Sequence, residues 1–110
     1  MRPETVRPSQ RDLFCLLAHA GFQLAQPLAL TWWAALQGST HPKAQAVARA
    51  FTRYRGTPNN FVWWVFHEVS PGALIDATEG LVEEQALTRG EAVQIERGID
   101  TMMKSKREWR

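Results

Sequence analysis

Along most of the chain apolar residues recur every three or four positions, but one stretch is apolar throughout. Phe61-Val62-Trp63-Trp64-Val65-Phe66 offers water no polar face as helix or strand, and so predicts an element covered on all sides. Val, Phe and Trp favour strands, yet no second β-rich run bounded by turn signals exists to satisfy a strand's backbone groups. The flanks read as helix punctuation: Thr57 as N-cap, Pro58 at the first helical position, and Ser70-Pro71-Gly72 as a stop. Pro58 to Val69 is therefore read as a central buried helix. Pairing as an intermolecular strand is the alternative.

The remaining periodicity divides into further helices. Ser9 caps a helix from about Gln10 to Ala20, with Leu13, Phe14, Leu16 and Leu17 inward and Gly21 as its stop. Pro27 and Gly38 bound a second, over about Pro27 to Gln37. Ser39 or Thr40 caps the next, whose Val47, Phe51 and Tyr54 share a face, and Gly56 ends it. Ser70-Pro71 opens another, running from Gly72 to about Leu87, with Gly80 as a possible break. Thr88 and Glu91 form a capping box for the last helix, which carries a single apolar stripe of Ala92, Ile95, Ile99 and Met102. The pattern thus predicts an all-α fold: one domain over residues 1–110, a compact bundle of five or six short helices around the central apolar one, with residues 1–9 as a flexible N-terminal arm.

Composition narrows the setting. With 110 residues and 45% hydrophobic content, the chain buries a core without staples. The single cysteine, Cys15, excludes an internal disulfide framework and fits a reducing cytoplasm. Leu13 to Pro42 contains no charged residue, long enough for a bilayer span, but His19, Gln23, Gln26 and Pro27 fall near its middle, where polar groups and helix breaks are costly. A buried αα-hairpin is the expected structure there, with no membrane as partner. Charge is segregated: residues 1–56 carry a balance of +5, residues 57–96 one of −6 and residues 97–110 one of +3. Such segregation suits a basic partner-facing side or self-association as a homodimer.

Candidate chemistry is sparse. Cys15 and His19 share a helical face, but without further ligands or an orienting acid they read as packing. His19, His41 and His67 show no metal spacing, and neither a glycine-rich phosphate loop nor a nucleophile elbow is present. No catalytic, metal-binding or cofactor-binding residue is expected, and the chain reads as a non-enzymatic binding module.

Two surfaces remain. In Trp33-Ala34-Ala35-Leu36-Gln37-Gly38-Ser39-Thr40 followed by Lys43-Ala44-Gln45-Ala46-Val47, a small residue stands four before a turn glycine and a hydroxyl cap follows. The segment, residues 30–55, resembles a helix-turn-helix, with Ala34 and Gly38 in the small positions and Ala44 and Val47 inward; Gln37 stands where an apolar residue is usual. The resemblance implies a regulator that binds duplex DNA, with His41, Lys43 and Gln45 facing the major groove and Arg49, Arg53 and Arg55 gripping phosphate. The alternative is a protein-interaction or inhibitor module. Adjacent tryptophans on a helix point about 100° apart, so one of each pair is expected at an interface, with Trp32, Trp63 and Trp109 as the contact residues.

Overall fold

The computed structural model describes residues 18, 19, 21–54 and 58–108. Among them are five α-helices and no strand: α1 (Gln26–Gly38), α2 (Pro42–Arg53), α3 (Pro58–Glu68), α4 (Pro71–Glu83) and α5 (Arg89–Glu108). The all-α bundle expected from the periodicity is what forms. The arm 1–9, Cys15 and most of the predicted first helix lie outside the described residues; residues 18, 19, 21 and 22 of that region are helical. No helix among the described residues is long and apolar enough to cross a membrane.

Helix boundaries follow local chemistry. Pro27, Pro42 and Pro71 each stand in a first turn, where the missing N–H costs nothing. Ser70 caps α4, its hydroxyl accepting from the Ala73 N–H at 3.1 Å. At the head of α5 the capping box is complete: the Thr88 N–H donates to the Glu91 carboxylate at 2.9 Å, and the Glu91 N–H donates to the Thr88 hydroxyl at 3.1 Å. The cap of α2 is neither Ser39 nor Thr40 but His41, whose Nδ1 accepts from the Lys43 N–H at 3.2 Å. α4 ends earlier than its apolar pattern predicts, at Glu83, because Gln85 turns to φ 63°. The N–H of Gln85 then reaches Val82 O and that of Ala86 reaches Leu81 O, both at 2.9 Å, a Schellman closure with glutamine in the place usually held by glycine.

The core is aromatic at its middle. Phe51 of α2 meets Trp32 and Trp33 of α1 edge-on and stacks on Phe61 of α3 at 5.4 Å between centroids. Phe22 adds edge contacts to Trp32 and Phe61. Leu74, Leu81, Ile95 and Ile99 are fully buried where α4 meets its neighbours. The expected stripe of α5 faces inward along its length, with Ala92, Ile95, Ile99 and Met102 all buried.

Two expectations about the apolar stretch are corrected. It is a helix, not a strand, but it is not covered on all sides: Phe61 and Val65 are fully buried, whereas Trp63 is 42% exposed and Trp64 is half-buried against Tyr54 at 4.9 Å. Residues that point about 100° apart cannot all face one small core. The central place goes instead to α4, which packs against α1, α2 and α5. Its Gly80 is buried rather than a break. A Cβ there would lie 2.8 Å from the His41 ring, so glycine makes room for the imidazole.

Candidate functional site

The turn between α1 and α2 is held from outside by α4. One carboxylate oxygen of Glu84 accepts a short hydrogen bond from the Ser39 hydroxyl; the other accepts from the Thr40 hydroxyl at 2.7 Å and the Thr40 N–H at 3.2 Å. Ser39 Oγ in turn accepts from the His41 N–H at 2.9 Å, and the Gln45 amide donates to Ser39 O at 3.1 Å. These bonds favour the ionised form, first that from Ser39 and then that from Thr40, and hold the Glu84 carboxyl below its usual pKa. Lys43 is tied to the same helix, with Nζ 2.7 Å from Asp76 Oδ2.

This arrangement separates the residues singled out for nucleic acid. His41 and Lys43 face α4, so the head of α2 is committed within the fold. Gln45, Arg49 and Arg53 lie on another face of α2, and Arg55 lies outside the described residues. The two small positions of the helix-turn-helix pattern are not used as expected. Ala34 is exposed, and Gly38 continues α1 without positive φ and with nothing within 4 Å of a Cβ placed on it. The helices meet instead through Trp32, Trp33 and Leu36, while Ala44 and Val47 do point inward.

Gln45, Arg49 and Arg53 line a surface groove of about 470 Å³ together with Leu36 and Gln37 of α1 and Ala48 and Thr52 of α2. Ala48 supplies apolar wall, with Leu36 fully buried beneath it, and the amides, Thr52 and the two guanidiniums surround them. Thr52 spends its hydroxyl proton on Ala48 O at 2.8 Å. α2 contains no acidic residue, and neither Arg49 nor Arg53 forms an ion pair with another described residue. Four residues apart on one helix, they project side by side along the groove. The sequence marked these two arginines and Gln45 but not the apolar residues beside them, because Leu36 and Ala48 become neighbours only when α1 folds back on α2.

The tryptophan set also separates. Trp32 is fully buried and Trp33 is 2% exposed, so Trp32 is not a surface residue: α1 turns both rings of that pair onto Phe51. Trp63 is exposed, and Trp109 lies outside the described residues.

A second polar cluster joins α4 to α5. Arg89 Nη1 lies 2.7 Å from Glu79 Oε2, which draws the Glu79 carboxyl below its usual range. Glu96, half-buried beside it, is pushed the other way, from 4.5 to about 7, first by desolvation and then by its hydrogen bond to Glu79. The pair shares one proton, and Arg89 keeps the charge on Glu79. Because Glu96 holds its proton more tightly when folded, its stabilisation is complete below 4.5 and is lost as pH rises through about 7. Glu96→Gln is expected to flatten stability between about pH 5 and pH 8 and to exceed the parent at the upper end. Urea melts at both ends check this, and parallel pH profiles for parent and variant would refute it. Among the described residues no three His, Cys, Asp or Glu side chains come together as a metal site.

The chain matches no family model, and no curated protein or solved structure is significantly similar to it.

Proposed function

We propose that the protein is a non-enzymatic interaction module that receives an acidic, amphipathic segment of a partner protein in the groove between α1 and α2. The observation that carries this reading is the pairing of the apolar wall at Ala48 with two arginines that meet no carboxylate among the described residues. Apolar side chains of the partner would fill the groove, and its carboxylates would meet Arg49 and Arg53 as charge-assisted hydrogen bonds.

The DNA-binding reading rests on the same arginines. Its weakness is the head of α2, the part of a recognition helix that enters the major groove. There Lys43 is neutralised by Asp76, and the Glu84 carboxylate lies on the turn, where it would repel phosphate. A duplex is left with Arg49 and Arg53, which grip backbone without reading sequence.

Two probes separate these readings: a fluorescent helical peptide with leucines on one face and glutamates on the other, and a random DNA duplex. The peptide is expected to bind and the duplex to bind weakly or not at all. Arg49→Glu/Arg53→Glu should abolish peptide binding. Ala48→Gln, which puts a polar side chain into the groove, should weaken it without unfolding the bundle. Duplex binding that collapses with salt, with no peptide binding, would overturn the proposal in favour of DNA.

A further inference from the structure

Away from this groove, the connector that enters α1 crosses α5 at Gly98. Gln23, Leu24 and Ala25 there face Gln94, Arg97 and Thr101 across a pocket of about 250 Å³. The approach is close because Gly98 has no side chain: a Cβ at that position would lie 2.6 Å from Phe22 O. Gln94, Arg97, Gly98 and Thr101 follow the three-and-four spacing that puts them on one helical face. Gln23, which lines the pocket, is held at φ 57°, a region that disfavours side-chain-bearing residues.

We infer that this pocket is a binding site for a small organic carboxylate. Among the described residues, Arg97 is the one charged residue that lines it, and it forms no ion pair with any of them. A planar guanidinium matches a carboxylate with two parallel N–H donors. Gln23, Gln94 and Thr101 bring further neutral donors to the same opening, and Ala25 supplies exposed apolar surface for the rest of the ligand, with Phe22 and Leu24 buried behind it. A single cation suits a monoanion better than a phosphate dianion, and the volume suits a short chain rather than a large cofactor. Of the acids flanking Arg97 on the helix, Glu96 is engaged with Glu79 and Asp100 is occupied by Lys104 at 3.1 Å.

The full chain, labelled for amide NMR, would be titrated with butyrate and, separately, with inorganic phosphate at matched ionic strength. Butyrate is expected to give saturable shifts at Gln23, Leu24, Gln94 and Gly98, with phosphate giving none. Arg97→Gln, a change at an exposed position, should weaken butyrate by at least about tenfold. Thr101→Val, which keeps the shape of the side chain, should weaken it less. The absence of saturable shifts, saturation by phosphate in place of butyrate, or undiminished affinity in Arg97→Gln would each overturn the assignment.

Discussion

Trp32→Ala is expected to lose about 3–5 kcal/mol of folding stability, the range for emptying a buried aromatic site. Trp32 has no exposed surface and meets Phe22 at 5.9 Å and Phe51 at 6.2 Å between ring centroids. Those rings belong to other parts of the fold, so the cavity opens at the junction of α1, α2 and the residues before α1 and cannot collapse by moving one side chain. Trp63→Ala is the matched control. With 42% of its surface already in water, it should cost no more than about 1 kcal/mol. Denaturant melts of the two variants decide the matter: comparable losses would mean that Trp63 is as deeply packed as Trp32.

Gly98→Ala is expected to cost about 1–3 kcal/mol despite alanine's better helix propensity. That propensity favours alanine by about 1 kcal/mol in a helix interior, but the added methyl would stand 2.6 Å from Phe22 O. A backbone oxygen cannot rotate away as a side chain can, so the connector must shift and overpacking wins. Gly38→Ala meets nothing within 4 Å and should gain up to about 1 kcal/mol instead. Opposite signs for two identical substitutions are the result sought; a gain at both positions would show that the connector does not press on α5.

What could be read from the sequence was local. Thr88 and Glu91 announced the last helix because both halves of its cap lie within one turn, and the stripe from Ala92 to Met102 announced its inner face. The helical state of Pro58 to Glu68 was legible from its flanks, but its position was not, since an all-apolar run does not say which side finds cover. The helix-turn-helix pattern misdirected attention for a related reason: a small residue four before a glycine allows a close crossing on that face, while α1 presents Trp32, Trp33 and Leu36 to its partner. His41 was expected to face a ligand and instead caps its own helix and fills the space left by Gly80. The candidate groove was half legible. Arg49 and Arg53 declare themselves four residues apart, but their apolar neighbours come from two helices, and the carboxylate pocket joins segments some seventy residues apart in the chain.

The bond from Ser39 to Glu84 spans 45 positions in sequence, and with Thr40 and Gln45 it fixes the angle at which α1 folds onto α2. The walls of the groove therefore stand in place before any partner arrives. An incoming segment has only its own disorder to give up, so association should approach rigid docking. Glu84→Gln, which weakens this fastening without touching the groove, should slow binding while leaving the contacts of the bound state intact.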